Sequence, residues 1–276
     1  MRPSLFRILV LFSVWFSLTL ANGLPARAEI TYKFGVVPQF EPRKLAAIWL
    51  PVLDELSKRT GFHFTMVGSS EIPHFETAYL EGEYDFAYVN PRHAIQGAEN
   101  FGSIPLVRDG SRTLAGILVV KKDGPVQNIK ALDGQVVAFP APNALAASLV
   151  IRAELMRLHG IVVKPLYVYT HSSAYLNVVL GRTIAGGGVL TTFEKQKPGI
   201  QNQLRIIYTT KAMPPHPITA HPRVPLAHIK MVTEAILDMS KDATMAKLLE
   251  GIPLRQPVPA FLSEYNMIKG WELDKL

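Results

Sequence analysis

The chain has 276 residues, a formal net charge of +7 and no cysteine. The lack of cysteine excludes disulfides, thiolate metal sites and a catalytic thiol. Because Arg2, Arg7 and Arg27 supply three of the positive charges, the chain from Glu29 onward carries +4. Its basic residues are scattered and form no cluster with aromatic residues, which argues against a nucleic-acid partner. A mild positive field of this kind favours the approach of a small anion.

The first 28 residues have the pattern of a cleavable export signal. Two arginines precede the uncharged apolar run 8–21, and Ala26-Arg27-Ala28 fits a cleavage site, so Glu29 is the predicted mature terminus. The alternative is a transmembrane anchor, but the run is short for a span of about 20 residues. No cysteine follows the leader to carry a lipid. We therefore expect a periplasmic protein with no stable membrane insertion after cleavage.

Strand and helix patterns alternate through the first third of the mature chain. The predicted elements are a strand at 30–37, a helix at 44–59, a strand at 62–67, a helix at 72–80 and a strand at 86–89. This order predicts a parallel sheet with right-handed crossovers. The third strand stops at Asn90-Pro91, because proline cannot donate to a sheet ladder. We expect a loop there, at the strand end where open α/β sheets bind ligands.

A second unit of the same kind begins after a turn at 122–125. The strand predicted at 114–121 precedes this turn. After the turn, strands are predicted at 134–139, 162–169, 184–190 and 205–210, and helices at 144–158, 173–180, 226–239 and 243–250. The run Gly186-Gly-Gly188 lacks the Lys and Ser or Thr of a phosphate loop. We expect it to let the backbone approach another element closely. The predicted architecture is α/β with two lobes, residues 29–118 plus 219–276 and residues 119–218, joined by a hinge of two crossings.

Several motifs, in this order along the chain, resemble a known family. They are Phe34-Gly-Val-Val-Pro38, Trp49-Leu-Pro51, Gly82-Glu-Tyr-Asp85, Leu132-Asp-Gly134, and His171 with the helix that follows it. The chain resembles the phosphonate, phosphite and phosphate (PhnD-like) periplasmic solute-binding proteins of ABC transporters over nearly its whole mature length. The resemblance implies a type II periplasmic binding protein whose two lobes close on a small oxyanion. It implies no cofactor, and an ABC permease as the partner.

The sequence departs from the family pattern at several ligand-binding positions. The family usually has a Ser-Thr-Ser-like run at a helix start, where hydroxyl and backbone N–H groups hold an oxyanion. Here that run is Ala144-Leu-Ala146, and Ser148 is the nearest hydroxyl. A family tyrosine appears as Ile72, an acidic residue as His216 and an aspartate as Ile184. We therefore expect aminophosphonates to bind poorly.

The predicted ligand contacts lie near strand ends in both lobes. They are Asn90 and His93 in the first lobe, Asn143, Ala144, Ser148, His171, Tyr175 and Thr191 in the second, and His216 on the connector at 214–217. Thr192 is a further candidate beside Thr191. His171, neutral or protonated, would donate to an oxyanion, and the helix after Asn143 would present its positive end.

Four of these residues also have an ordinary structural explanation. Asn143 is a favoured helix N-cap, and Asn90 is typical of turns. His171 fits an exposed loop, and Tyr175 fits core packing.

A metal site, an enzyme and a sensing protein are the alternatives to a transport protein. His216, His221 and His228 lack a fixed helical spacing and a completing glutamate, so no metal site is predicted. An enzyme is not predicted, because no nucleophile elbow or carboxylate pair is present. The remaining alternative is a sensing protein that reports its ligand to a membrane sensor kinase or cyclase. The same closure would serve transport and sensing, so the residues leave both open.

Overall fold

The computed structural model describes residues 30–271 and residue 273. The predicted leader and its cleavage site lie outside these residues. Within them, none of the helices combines the length and the apolar character needed to cross a membrane.

The described chain alternates strands with short and medium helices. In chain order the strands are β1 (Thr31–Val36), β2 (His63–Val67), β3 (Phe86–Tyr88), β4 (Ile104–Asp109), β5 (Gly116–Lys121), β6 (Val136–Phe139), β7 (Lys164–Tyr167), β8 (Ala185–Val189), β9 (Leu204–Thr209), β10 (Ile218–Ala220) and β11 (Pro257–Pro259). The α-helices are α1 (Pro42–Thr60), α2 (Ile72–Leu80), α3 (Pro91–Phe101), α4 (Ile151–His159), α5 (His171–Val179), α6 (Leu190–Glu194), α7 (Pro198–Gln201), α8 (Leu226–Met239) and α9 (Ala243–Gly251). A π-helical turn spans Leu145–Val150, and 3₁₀ helices span Ile129–Leu132 and Leu262–Trp271.

The strands form two sheets. The first has the order β11-β4-β10-β3-β1-β2, and the second has the order β7-β6-β8-β5-β9. Strand β1 pairs in parallel with β2 and β3, which confirms the predicted β-α-β-α-β sheet. In the second sheet β6 pairs in parallel with β7 and β8, and β5 runs antiparallel to β8. The chain passes between the sheets at residues 110–115 and again at 210–217. The division into lobes that move as units stays a prediction.

Helix α1 covers the first sheet with the apolar face that its spacing predicts. Five of its apolar side chains are buried at helical intervals: Leu45, Trp49, Val52, Leu53 and Leu56. The Trp49 ring lies 5.4 Å from that of Phe34 and 5.0 Å from that of Tyr88. The helix ends where Gly61 adopts a left-handed conformation (φ 72°), which closes its last turn.

The loop predicted after β3 is wrong, because Asn90-Pro91 begins helix α3. The Asn90 side chain accepts a hydrogen bond from the backbone N–H of His93 at 2.9 Å and so caps the helix. Pro91 occupies the first turn, where a missing N–H leaves no helical hydrogen bond unmade. The signal that ends a strand therefore also starts a helix here.

The predicted helix at 144–158 forms, but Leu145–Val150 make a wider π-helical turn before α4 begins. Its N-cap is Ala144, which offers no side-chain hydrogen bond. The capping role considered for Asn143 is therefore wrong. The Asn143 side chain instead donates to a carboxylate on the other sheet unit, as described below.

The glycine run in β8 confirms the predicted close approach of the backbone. A Cβ at Gly187 would lie 2.4 Å from the Ala147 carbonyl oxygen and 2.4 Å from the Phe139 ring. A Cβ at Gly188 would lie 1.9 Å from the Tyr175 hydroxyl. The π-helical turn and α5 therefore pack directly on the backbone of β8.

We expect Gly187→Ala to lower the free energy of unfolding by about 1–3 kcal/mol, because the added methyl overpacks a rigid contact. Urea denaturation would measure the change. Gly199→Ala is the matched control, since a Cβ there meets nothing within 4 Å. Equal stability of both variants would show that β8 can move away from its neighbours.

Candidate ligand-binding site

The carboxyl ends of strands from both sheets border a small cavity. Its volume is about 20 Å³, which is room for about one water molecule. The lining residues are Val37, Gln39, Ile72, Asn90, Ala144, Leu145, Ala146, Ala147, His171, Val189 and His216. The two sheet units are therefore closed upon each other around this point.

Four of the nine predicted ligand contacts line the cavity: Asn90, Ala144, His171 and His216. The lining also includes Gln39 and Val37, which follow β1 and which sequence reasoning missed. Their position directly after a strand was the signal that could have identified them.

The other five predicted contacts are not among the lining residues. Two of them, His93 and Asn143, contact Glu76 as described below. Ser148 is buried one turn along the helix, and its hydroxyl has no hydrogen-bond partner in the described structure. Thr191 borders a separate groove of about 690 Å³, beside Arg108 and Arg112. Tyr175 is fully buried beneath the lining.

The helix after β6 begins with residues that line the cavity. The first N–H groups of a helix have no acceptor within the helix. Leu145, Ala146 and Ala147 belong to this first turn and line the cavity. A helix N-terminus also carries about half a unit of positive charge. These features suit an anion even though the hydroxyl run is missing.

His171 is buried rather than exposed, with 3% of its surface accessible. Its Nδ1 lies 3.0 Å from the Thr192 hydroxyl, and its backbone N–H donates to the Gln39 carbonyl oxygen at 3.2 Å. Burial lowers the pKa of His171 to about 3. The imidazole is therefore neutral at pH 7, and the protonated form considered from the sequence is not the resting state.

His216 is the second imidazole of the lining and is also neutral. Burial, with a smaller effect from the nearby His171 and His93, lowers its pKa to about 3. Its ring stacks on Tyr88 at 5.2 Å, and its Nε2 lies 3.5 Å from the Gln39 side-chain nitrogen. Among the residues that the structure describes, no lysine, arginine or carboxylate side chain lines the cavity. Any anion held here is held by neutral donors.

The three histidines near the prolines lie against different aromatic rings. His221 stacks on Phe101 at 4.8 Å, and His228 lies 4.5 Å from the Phe62 ring. In the part of the chain that the structure describes, no group of three His, Cys, Asp or Glu residues is placed to hold a metal ion.

A buried hydrogen-bond network lies behind His171. The Val189 N–H donates to the Tyr175 hydroxyl at 3.1 Å. The Tyr175 hydroxyl lies 2.9 Å from the Thr192 hydroxyl and 3.0 Å from the Val189 carbonyl oxygen. The Thr192 hydroxyl lies 2.9 Å from that same carbonyl oxygen. Thr192, rather than Thr191, therefore contacts a cavity residue.

The Glu76 carboxylate on α2 joins the two sheet units. Its Oε2 lies 2.7 Å from the Asn143 side-chain nitrogen, 2.8 Å from His93 Nε2 and 3.4 Å from an Arg92 guanidinium nitrogen. Burial alone would raise the pKa of Glu76, but the hydrogen bonds from His93 and Asn143 and the neighbouring positive charge lower it to about 2. Glu76 is therefore ionised and accepts hydrogen bonds from both units.

His93 is fully buried, and burial lowers its pKa despite the contact with Glu76. A neutral His93 must carry its proton on Nε2 to donate to the ionised carboxylate. The Asn90 side-chain nitrogen lies 3.2 Å from that same Nε2, but two donors cannot bond each other. The Asn90 amide N–H is therefore available to the cavity that Asn90 lines.

Two lysines join the sheet units at a second place. Lys44 on α1 donates to the Lys195 carbonyl oxygen at 3.0 Å. Lys195 donates in the opposite direction to the Glu250 carbonyl oxygen, at 2.6 Å, near the end of α9. Burial, with the nearby charges of Lys44 and Arg112, lowers the pKa of Lys195 to about 8. These bonds support the closed arrangement away from the cavity.

We expect the stability difference between the wild type and Glu76→Gln to depend on pH. Because the folded-state pKa of about 2 is below the ordinary 4.5, Glu76 stabilises the fold above pH 4.5, by about 3 kcal/mol. This contribution is lost as the pH falls from 4.5 through 2. Urea denaturation at several pH values would show the difference narrowing over that range.

The control for this experiment is Glu81→Gln, at an exposed position just after the same helix. It should not change the pH profile. If the difference in the free energy of unfolding between the wild type and Glu76→Gln stays constant down to pH 2, the assignment of an ionised, hydrogen-bonded carboxylate is contradicted.

Comparisons with known proteins agree with this architecture. A family model described as the periplasmic substrate-binding protein of phosphonate ABC transporters matches residues 34–265. A search of curated proteins found no match.

Solved structures give the same result for the fold. A binding-protein component of a phosphonate ABC transporter from Pseudomonas aeruginosa superposes with a TM-score of 0.81 at 15% identity, covering 90% of this chain and 87% of that chain. PhnD1 from Prochlorococcus marinus, in complex with methylphosphonate, gives 0.80 at 17% identity, covering 89% and 99%. The glutamate-bound GluR0 ligand-binding core from Nostoc punctiforme gives 0.56 at 18% identity, covering 80% and 97%. The predicted α/β fold class of type II binding proteins is confirmed.

Proposed function

The chain belongs to the family of periplasmic substrate-binding proteins of phosphonate ABC transporters, and from this premise we propose that it captures a small oxyanion in the cavity between its two sheets. The members of this family bind substrates and are not enzymes. The observation that carries the proposal is the cavity lining. It brings a helix start, two neutral imidazoles and the amides of Asn90 and Gln39 to one point.

The lining also limits what the oxyanion can carry. Val37, Ile72 and Val189 are apolar and buried, so they suit a hydrogen or a methyl group on phosphorus. An aminoalkyl group would place an ammonium in a cavity lined by no carboxylate, and an unpaired buried charge is costly. Methylphosphonate and phosphite are the preferred candidates, and methylphosphonate is the ligand in the PhnD1 complex.

Binding is proposed to proceed by closure of two lobes, each built on one sheet. The crossings between the sheets, at 110–115 and 210–217, lie a few residues before the predicted lobe boundaries at 118 and 218. The cavity accommodates about one water in the arrangement seen here, so the two sheet units must lie further apart than this both to admit and to hold a tetrahedral oxyanion. A ligand shifts this equilibrium only by binding the closed form better. Contacts from both lobes, such as those of Asn90 and His171, supply that difference.

The proposed setting is the periplasm, reached with the leader 1–28, which is then cleaved. The proposed partner is an ABC permease that accepts the closed, loaded form. The family description names a transporter, so the sensing alternative is not favoured.

We expect methylphosphonate and phosphite to bind more tightly than 2-aminoethylphosphonate. Each unmet hydrogen bond to a charged group costs roughly 1.5–3 kcal/mol, so the aminoethyl ligand should bind about 10- to 100-fold more weakly. Titration calorimetry of the mature chain with each ligand and with phosphate would measure this. Equal affinity for the aminoethyl ligand would contradict the specificity, and no binding of any of the four would contradict the proposed function.

We expect Asn143→Ala to shift the protein toward the open form. The variant removes the hydrogen bond to Glu76, which favours closure by roughly 1.5–3 kcal/mol. Small-angle scattering with saturating methylphosphonate would show a larger radius of gyration than for the wild type, and calorimetry would show weaker binding. Asn202→Ala, at an exposed position, is the control. Unchanged scattering and affinity would remove Asn143 from the closing mechanism.

A further inference from the structure

We propose that Tyr175 and Thr192 are positioning residues that hold His171 in the tautomer whose Nε2–H is directed to the bound oxyanion. The proposal rests on the proposed function, because it concerns the same cavity. Neither residue lines the cavity. Both act through the imidazole that does.

The two ring nitrogens of His171 have different surroundings. Nδ1 lies 3.0 Å from the Thr192 hydroxyl, on the side of the buried network. Nε2 has no protein partner within the described residues, and His171 lines the cavity. Because the ring is neutral, only one of these nitrogens carries a proton. The position of this proton decides whether Nε2 is a hydrogen-bond donor or an acceptor toward a ligand in the cavity.

One direction of hydrogen-bond donation through the hydroxyls leaves a proton on His171 Nε2, where an anionic ligand can accept it. The Val189 N–H donates to the Tyr175 hydroxyl. The Tyr175 hydroxyl then donates to the Thr192 hydroxyl at 2.9 Å, and the Thr192 hydroxyl donates to His171 Nδ1 at 3.0 Å. Each hydroxyl accepts one hydrogen and donates one, so the Val189 carbonyl oxygen, which lies 3.0 Å from the Tyr175 hydroxyl and 2.9 Å from the Thr192 hydroxyl, receives neither hydroxyl hydrogen in this arrangement. Bonds in such a chain strengthen one another. Nε2 then carries the proton.

The opposite direction presents a lone pair to the ligand. If Nδ1 held the proton it would donate to Thr192, whose own hydrogen would turn to the Val189 carbonyl oxygen at 2.9 Å. Nε2 would then be an acceptor, and an oxyanion has only acceptors to offer it. The hydroxyl of Thr192 matters because it can donate to Nδ1, which a methyl group of the same shape cannot do.

The test uses histidine labelled with ¹⁵N and read by NMR, with Thr192→Val as the main variant and Thr192→Ser as the conservative one. In the ligand-free wild type and in Thr192→Ser we expect the His171 Nε2 signal to be of the protonated type and the Nδ1 signal of the unprotonated type. In Thr192→Val we expect a mixture of tautomers. Methylphosphonate affinity should fall about 2- to 10-fold in that variant, the range of one neutral hydrogen bond, and recover in Thr192→Ser.

Thr191→Val is the matched control, since Thr191 borders the neighbouring groove instead. It should change neither the spectrum nor the affinity. Tyr175→Phe should produce a weaker form of the Thr192→Val effect, and melting temperatures would confirm that each variant is folded.

Three results decide the proposal. A wild-type protein with the proton on Nδ1, or a Thr192→Val variant with the wild-type spectrum and affinity, would overturn the positioning role. If the NMR spectrum of Thr192→Val changes as expected but no oxyanion binds the wild type, the positioning role of Thr192 is supported and the proposed function fails.

Discussion

The first turn of the helix that begins at Leu145 sets the character of the cavity. Its N–H groups have no partner within the helix, and the residues that carry them line a cavity with neutral side chains. The turn lies against β8, where the glycine run allows contact with the Ala147 carbonyl oxygen. The glycines of β8 and the imidazoles of His171 and His216 lie beside this turn, at the junction of the two sheets.

Neutral donors suit a buried anion because they need not be desolvated as charges themselves. A lysine or arginine in so small a cavity would carry its own large cost of burial whenever the ligand was absent. Preorganised N–H groups avoid that cost and stay directed at the place where negative charge is bound, as in an oxyanion hole. His171 and His216 fit this arrangement because burial keeps them uncharged. The charged residues that hydrogen-bond across the two sheet units, Glu76 and Lys195, lie outside the lining.

Regular periodicity made the parallel sheet and the long helices predictable. Helix α2 at Ile72–Leu80 and helix α8 at Leu226–Met239 have the predicted bounds. The secondary-structure prediction failed where one short sequence motif is compatible with two different structures. Asn90-Pro91 can end a strand in a loop or cap a new helix, and the packing of α3 beside the first sheet selects the helix. Helix α3 and the strand β4 after it were not predicted.

The cavity lining was harder to predict than the fold, because it depends on contacts between distant segments. Asn143 has the sequence signature of an N-cap. Its side chain instead donates a hydrogen bond to the Glu76 carboxylate, which is distant in sequence. Thr191 and Thr192 are equivalent as residue types, and only the phase of α6 turns the second one toward His171. Gln39 enters the lining because the backbone N–H of His171 bonds its carbonyl oxygen across the cleft. A single sequence contains none of these pairings.

The most direct measurement is a crystal structure of the mature chain grown with methylphosphonate. We expect the phosphonate oxygens to lie within hydrogen-bond distance of the backbone nitrogens of Leu145–Ala147 and of His171 Nε2. The methyl group should face Val37 and Ile72. A phosphonate bound instead in the groove beside Arg108 and Arg112, with the cavity unchanged, would contradict the claim that neutral donors at the helix start hold the ligand.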